Sequence, residues 1–235
     1  MISSTASEPT PRPTVKVLGL DPSFTNFGWA LVEADNPFER IPLIASGRSH
    51  TLAKALQIDR LKYLREQVDE LIERFDPDYI GVESPIFGAS YSEGQYALFM
   101  DVNEIVRDQA KDIVYFSPGQ LKARAWEYSG YPLGWIMNKA AMIHAASAVL
   151  GSPKRLTNDE ADAFHCARSA LRFWSFYTWE SFFPEGLLTP VERHQFTRSH
   201  TFVRGKKEGK TVRSGLIYQE GKRFFLFASK DYKLV

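Results

Sequence analysis

Short apolar runs alternate with longer amphipathic segments along most of this chain, and this alternation predicts an α/β fold. Two apolar runs separated by a short turn begin the series, at 15–20 and 27–34, and a third lies at 42–46. Runs of this length bounded by Gly, Pro and Asp are typical of strands. Because the connections between them are short, we expect an antiparallel meander.

The pattern then changes to a helical period. From about Leu52 to Phe75 apolar residues recur every three or four positions, which predicts one long helix that Asp76-Pro77 ends. Two further strands are predicted at 78–82 and 113–116, and further helices at 92–111, 117–126, 136–150 and 157–178. This order of elements predicts a mixed five-stranded sheet with helices on its faces.

Length and composition divide the chain into three parts. A chain of 235 residues can bury one full core with room for a small appendage. Residues 1–14 are rich in Ser, Thr and Pro and predict a disordered tail, whereas residues 15–183 carry the α/β pattern. Residues 184–235 form a β-rich extension, in which strands are predicted at 201–204, 211–219 and 223–228.

Charge is distributed unevenly. Residues 191–235 hold eleven Lys or Arg and four Asp or Glu, about +7, and the chain total of +1 leaves about −6 on residues 1–190. A negative body with a basic end indicates an appendage that faces a polyanion, with a solvated tail as the alternative.

The single cysteine, Cys166, excludes an internal disulfide and fits a reducing compartment, so we expect a cytoplasmic protein. No apolar stretch approaches the length of a membrane span, and the first residues lack the apolar centre of a secretory signal. We therefore expect no membrane association.

Four carboxylates stand where the predicted elements would bring them together. Asp21 ends the first apolar run and Glu83 ends the fourth, and each is closely followed by a proline. Asp159 and Asp162 lie three residues apart at the start of the last predicted helix, on one face of it. If the first and fourth strands are neighbours, Asp21 and Glu83 share one end of the sheet, and the helix supplies the other two acids.

These residue types indicate a metal site. Ionised side chains at the ends of buried strands are costly unless a cation compensates them. Oxygen donors with no Cys or His cluster nearby favour Mg²⁺, for which Mn²⁺ would substitute, over zinc. Two-metal phosphodiester cleavage requires acids that hold two cations roughly 3.5–4 Å apart. The four acids together predict such a site, although Asp21 alone would suit a turn and Asp159 alone a helix N-terminus.

Glu160 lies between the two helical acids but has a structural alternative. Thr157 followed three residues later by Glu160 fits a capping box, in which both side chains bond to the backbone at the start of the helix. We therefore predict a capping role for Glu160 and metal binding for Asp159 and Asp162.

The segments around these acids resemble the motifs of RuvC-type Holliday junction resolvases. GLDPSFTNFGWA at 19–30 is similar to the first motif, VESPIF at 82–87 to the second, and DEADAF at 159–164 to the last. The resemblance covers about residues 15–175. It implies the ribonuclease H-like fold, a homodimer, and Mg²⁺-dependent nicking of paired strands at a four-way DNA junction, with Asp21, Glu83, Asp159 and Asp162 as catalytic metal ligands.

The resemblance also implies basic and aromatic residues at the DNA. By position, Lys122 and Lys139 are the candidate lysines; we assign Lys139 to catalysis and Lys122 to DNA binding, with the reverse assignment left open. Between them, the loop at 126–135 is longer than the usual family spacing. Phe87 matches an aromatic that the family uses against unstacked bases at the crossover, with a place in the core as the alternative.

The basic extension has no counterpart in the bacterial resolvases, which leaves a viral or phage member, acting in the host cytoplasm, as one alternative. We expect four basic residues in or beside one predicted hairpin loop to contact a DNA arm: Lys206, Lys207, Lys210 and Arg213. The competing interpretation is a structural extension that covers the main domain.

Three other functions compete with junction resolution. A branched-DNA or flap nuclease of relaxed specificity would use the same two-metal site, and it is the alternative that the sequence leaves open. An actin-like or sugar-kinase ATPase would need a duplicated domain and a second phosphate loop, which this chain lacks. A junction-binding scaffold without activity would not need all four acids.

Overall fold

The computed structural model describes residues 14–35, 41–84, 93–109, 111–151, 156–178, 188–197, 199–201, 211–213, 218–220 and 223–226. Three strands form the antiparallel meander that the apolar runs predict: β1 (Val15–Asp21), β2 (Asn26–Ala34) and β3 (Leu43–His50). They are followed by α1 (Gln57–Phe75), β4 (Tyr79–Glu83), α2 (Glu93–Asp108), β5 (Asp112–Phe116), α3 (Pro118–Ser129), α4 (Lys139–Leu150) and α5 (Asn158–Thr178).

The predicted mixed five-stranded sheet is confirmed, and two strands of the extension enlarge it. The C-terminal elements are α6 (Pro190–Thr197), β6 (Ser199–Thr201), β7 (Thr211–Arg213), β8 (Tyr218–Glu220) and β9 (Arg223–Leu226). The strand order is β3-β2-β1-β4-β5-β9-β8, while β6 and β7 pair separately. Because β1, β4, β5 and β9 run parallel, their carboxyl ends lie at one edge of the sheet.

Alternating side chains of β1 divide the core into two layers. Val17 is buried among residues of α3, α4 and α5 on one face of the sheet. Leu18 and Leu20 are buried among residues of α1 and α2 on the other face. The period of two in a strand thus places a helical layer on each side of the sheet.

Glycines allow α5 to lie close to the sheet. A methyl group at Gly19 would meet the Ala163 carbonyl oxygen at 2.0 Å, and one at Gly81 would meet the Cys166 carbonyl oxygen at 2.6 Å. No side chain fits at such distances, so the backbone of the helix rests directly on the strands. This close packing determines where the first turn of α5 sits at the edge of the sheet.

The prediction of a helix starting near Leu52 was wrong. Helix α1 begins at Gln57, and Leu52 and Leu56 are 70% and 69% exposed. Their spacing matched the helical period, but neither side chain contributes to a buried stripe, and so the segment forms a turn. At its other end α1 stops at Asp76, which adopts a left-handed conformation with φ of 43° before Pro77.

The extension also contains a helix that the apolar pattern does not predict. Glu192 of α6 is 1% exposed and forms a buried ion pair with Arg172 of α5, with 2.6 Å between Nη2 and Oε2. The extension therefore contains a helix as well as strands.

Most of the predicted N-terminal tail, residues 1–14, lies outside the described residues. The domain boundary predicted at residue 184 stays a prediction. The described part of the chain contains no helix with the length and hydropathy of a membrane span.

Candidate active site

Asp21 and Glu83 occupy equivalent places on neighbouring strands. Leu20 of β1 is in register with Val82 of β4, and the acid follows directly in each strand. The residue after an apolar run is the first to leave the core, so both carboxylates emerge at the same edge of the sheet. Pro22 lines the cavity beside Asp21.

The first turn of α5 brings the other two acids to this edge. Asp159 and Asp162 line the same cavity as Asp21 and Glu83, which has a volume of about 210 Å³. One carboxylate oxygen from each of Asp21, Glu83 and Asp162 lies within 4.8 Å of the others. Asp159 lines the cavity without joining this group of three. The four predicted acids thus share one cavity.

Burial and mutual repulsion raise the pKa values of the clustered acids. Burial raises the pKa of Glu83 to about 8; the Asp162 carboxylate adds to the increase and Lys122 opposes it. Burial also raises the pKa of Asp162 to about 6, with a contribution from Asp159 that Lys122 and Lys139 oppose. For Asp21, burial and then the charge of Glu83 raise the pKa well above its ordinary value. Charges this close need a cation or protons to coexist.

The donor set fits a hard divalent cation. All atoms of the group that could bind a metal are carboxylate oxygens, and no His or Cys belongs to it among the described residues. Oxygen-only sets suit Mg²⁺ and Mn²⁺, whereas zinc sites usually include nitrogen or sulfur. A cation would also relieve the repulsion that raises the carboxylate pKa values.

The two candidate lysines approach the acids from different helices. Lys139 is the first residue of α4 and lines the acidic cavity, where its charge acts on Asp21. Asn138 places it by capping the helix, since its side-chain oxygen accepts a hydrogen bond from the Ala141 N–H at 3.0 Å. Lys122 of α3 is exposed, and its charge acts on Glu83 and Asp162.

The capping role predicted for Glu160 is confirmed. Its Oε2 accepts hydrogen bonds from the Thr157 N–H at 2.9 Å and the Thr157 hydroxyl at 2.8 Å, while the Glu160 N–H donates to Thr157 Oγ1 at 3.4 Å. Its Oε1 accepts a hydrogen bond from Ser46 of β3 at 2.8 Å. Glu160 therefore attaches the start of α5 to the meander, and it does not line the acidic cavity.

Several predicted DNA-binding residues lie outside the described residues, namely Phe87, Lys206, Lys207 and Lys210. Arg213 lies on β7, but its side chain is not among those described. The predicted roles of these five residues, like those of the acids and the two lysines, stay predictions.

Sequence reasoning missed other residues of the cavity wall. Ser23 and Ser84 line it, and both adjoin an acidic motif, so their neighbourhood was a usable signal. Gln95 and Phe99 also line it from α2, and nothing in their local sequence distinguishes them from other residues of that helix.

Cys166 lies fully buried on α5, one turn after Asp162. Burial is the main cause that raises the pKa of its thiol, and the charge of Glu83 adds to the increase.

The comparisons with known proteins point to one family. Residues 17–123 match the family model described as "Crossover junction endodeoxyribonuclease RuvC". The protein of that name from Halothermothrix orenii is 26% identical over 113 residues, which cover 48% of this chain and 61% of that protein. Its counterpart from Rickettsia africae is 24% identical over 164 residues, which cover 66% of this chain and 96% of that protein.

A solved structure of the same name shares the fold. The structure titled "Thermus thermophilus RuvC structure" aligns with a TM-score of 0.56 at 16% identity, over 70% of this chain and 96% of that one. The structure titled "T. thermophilus RuvC in complex with Holliday junction substrate" aligns with a TM-score of 0.55 at 19% identity, over 66% and 91%.

Proposed function

Because this chain is a RuvC-type protein with the ribonuclease H-like fold, we propose that it is a crossover junction endodeoxyribonuclease, which resolves four-way DNA junctions by paired nicks. The observation that carries the proposal is the convergence of Asp21, Glu83 and Asp162 within 4.8 Å at the edge of the sheet, with Asp159 in the same cavity. These are the acids of the motifs by which the chain resembles the family.

We propose that Asp21, Glu83, Asp159 and Asp162 hold two Mg²⁺ ions, for which Mn²⁺ would substitute. When bound, the ions would activate a water molecule and stabilise the oxygen that leaves the scissile phosphodiester. The two strand acids provide ligands that the sheet holds rigidly, and the two helical acids close the site from the first turn of α5. At neutral pH Glu83, whose pKa is about 8, would give up its proton when a cation binds.

Lys139 is the proposed catalytic lysine. It lines the cavity at the N-terminus of α4, where a bound phosphate would meet both its ammonium group and the positive end of the helix dipole. Lys122 is the proposed DNA-binding lysine, because it is exposed on α3 and its charge acts on two of the acids, Glu83 and Asp162.

Two nicks at symmetric positions require two sites, and the described part of one chain contains a single acidic cluster of this kind. A two-fold dimer would match the pseudo-two-fold symmetry of a four-way junction. Sedimentation at micromolar concentration should therefore show about twice the chain mass of 26.8 kDa. A protein that stays monomeric on junction DNA would favour the flap-nuclease alternative.

We also propose a cytoplasmic location. The single cysteine, Cys166, is free and buried, which fits a reducing compartment.

We propose that the basic extension contacts a DNA arm through Lys206, Lys207, Lys210 and Arg213. Strand β9 of the extension pairs with β5. Its last residue, Leu226, is in register with Phe116 of β5, which is in register with Glu83 of β4. Neutralising the four residues should flatten the salt dependence of junction affinity by about one unit per lost phosphate contact. The position of the nick should stay the same, because phosphate contacts carry no sequence information. Unchanged affinity and salt slope would favour a structural extension.

The decisive experiment compares cleavage of labelled four-way junction, flap and linear duplex DNA, with and without Mg²⁺. Symmetric nicks on the junction alone, and only with the metal, are the expected result. Comparable cleavage of flaps would support the nuclease of relaxed specificity. Absence of cleavage of every substrate in both Mg²⁺ and Mn²⁺ would overturn the proposed activity.

A further inference from the structure

The loop between α3 and α4 presents large apolar side chains to solvent. Leu133 is 89% exposed, Ile136 is 80% exposed and Trp135 is 50% exposed. Together with Trp126 and Met137 they line a groove of about 330 Å³. We call Leu133, Trp135 and Ile136 the α3–α4 patch. Contiguous exposed apolar side chains are costly in water, and they commonly mark a binding surface.

Hydrogen bonds hold this loop in one conformation. The Trp135 N–H donates to the Pro132 carbonyl at 3.1 Å, which closes a turn around Gly134 at φ of 86°. The Trp126 indole N–H donates to the same carbonyl at 3.0 Å. At the start of the loop, the Tyr131 N–H donates to Ser129 Oγ at 3.0 Å. The patch is therefore preorganised, and little conformational entropy would be lost when a ligand binds it.

Trp135 is part of an aromatic stack. Its ring lies 4.8 Å from that of Tyr131 at an interplanar angle of 9°, and Tyr131 in turn lies 5.1 Å from the ring of His144. Tyr131 covers one face of the indole, yet half of the Trp135 surface stays exposed. The stack can therefore be extended by one more planar ring.

Lysines connect the groove to the acidic cavity. Lys122 lines the groove, and its charge also acts on Glu83 and Asp162. Lys139, three residues after Ile136, lines the acidic cavity itself. Among the described residues, no acidic side chain lines the groove. Its charge therefore suits a ligand that carries a planar apolar ring and negative charge together.

We propose that the α3–α4 patch binds an unpaired base of branched DNA, stacked on Trp135, while Lys122 and Lys139 contact the phosphates on either side. This rests on the proposed function, and it adds to that function a surface that separates a base from its partner beside the strand to be cut. Aromatic side chains next to basic residues are the usual means of binding single-stranded nucleic acid, because every base has a face to stack. A protein partner or a second copy of this chain would not require the flanking lysines.

The test compares three variants on two DNA substrates. Trp135→Ala removes the stacking ring, Trp135→Phe keeps a ring, and Ile58→Ala removes a side chain that is 67% exposed on α1, across the sheet from the patch. Equilibrium affinity is measured without divalent metal on a four-way junction, which carries 2-aminopurine at the branch point, and on fully paired duplex of equal length.

We expect Trp135→Ala to weaken junction binding about tenfold, within the range for loss of one base–aromatic stack, and to leave duplex binding nearly unchanged. We expect the wild type to quench 2-aminopurine at the branch point, and Trp135→Ala should abolish this quenching. Trp135→Phe should retain most of the affinity and quenching, and Ile58→Ala all of it. Leu133→Ser changes a side chain that is 89% exposed, and it should give a smaller loss of the same junction-selective kind even if Trp135→Ala folds poorly.

The outcomes distinguish failure of the proposed base-binding patch from failure of the proposed function. A wild type that binds junction no better than duplex would contradict the proposed function. A wild type that selects and nicks junctions, together with Trp135→Ala and Leu133→Ser variants of unchanged affinity and quenching, would overturn the inference alone. A lower sedimenting mass for either variant would also overturn it, because the patch would then be a surface for self-association.

Discussion

The backbone of Asp159 lies directly against Gly28: a methyl group at position 28 would come within 2.2 Å of the Asp159 carbonyl oxygen. Gly28 of β2 is also in register with Asp21 of β1. One strand residue therefore lies between an acid of the sheet and an acid of the helix. The missing side chain at position 28 determines how closely α5 brings its acids to the cavity.

Gly28→Ala should displace the first turn of α5. Relief of the clash requires movement of backbone, so we expect a loss of about 1–3 kcal/mol in the free energy of unfolding. A shift of about 1 Å in the acids should lower single-turnover nicking by up to about a hundredfold. Urea denaturation and rapid-quench cleavage of a labelled junction measure the two effects.

Gly119→Ala is the matched control. The nearest atom that its methyl group would meet is Ser117 Oγ at 4.0 Å, and the residue lies within α3. Because Gly119 is the second residue of α3, where the helix preference for alanine is weaker than in the interior, we expect a gain of at most about 0.5 kcal/mol in the free energy of unfolding and unchanged nicking. Equal effects of the two substitutions would contradict the role given to Gly28.

Asp21→Asn and Glu83→Gln should each abolish nicking while junction binding stays largely intact. Each substitution removes the charge of a proposed metal ligand but leaves the basic residues that contact phosphates. Gel-shift and nicking assays on the same preparations check this, with Glu73→Gln, at an exposed position on α1, as the control. Near-normal nicking by either site variant would remove that residue from the catalytic set.

Stability of the metal-free protein should depend on pH through Glu83. Folding raises the pKa of this acid from 4.5 to about 8, so the folded state holds the proton more tightly than the unfolded state. The resulting stabilisation is fully present below pH 4.5 and is lost as the pH rises through about 8. Asp162, with a pKa of about 6, should add to the same trend.

The measurement is urea denaturation in EDTA at several pH values between 4.5 and 8.5, for the wild type and Glu83→Gln. We expect Glu83→Gln, which has no charge to bury, to become more stable relative to the wild type as the pH rises. Added Mg²⁺ should stabilise the wild type more at high pH than at low pH, since the cation competes with protons for the acids. If the difference in unfolding free energy between the wild type and Glu83→Gln does not change with pH, folding does not raise the pKa of Glu83 and the prediction is wrong.

Asp162→Asn should reduce nicking far more than Glu160→Gln. Asp162 belongs to the acidic cluster, whereas Glu160 bonds to Thr157 and Ser46 outside the cavity. We expect Glu160→Gln to lower the free energy of unfolding by about 1 kcal/mol, as for a weakened helix cap, with turnover nearly unchanged. Cleavage rates and melting curves of both variants test this, and the reverse order of activities would mean that the other face of α5 carries the chemistry.

The sequence by itself determined the elements that depend on local burial. The five main strands and most helices follow from the period of their apolar residues, because each side chain of such an element meets core or solvent according to that period. The strand acids were visible for the same reason, since Asp21 and Glu83 stand where an apolar run ends. The capping box of Thr157 and Glu160 was also a local pattern.

Only the tertiary structure decided the features that depend on distant partners. Gly28 meets Asp159 more than a hundred residues later, and a glycine within a strand does not indicate what approaches it. Helix α6 likewise depends on the buried pair of Glu192 with Arg172, and its sequence alone resembles an exposed polar segment. Whether a charged side chain is buried, or whether a helix backbone packs against a glycine, depends on both residues of the contact. The local sequence around one residue contains no information about a partner that lies far away along the chain.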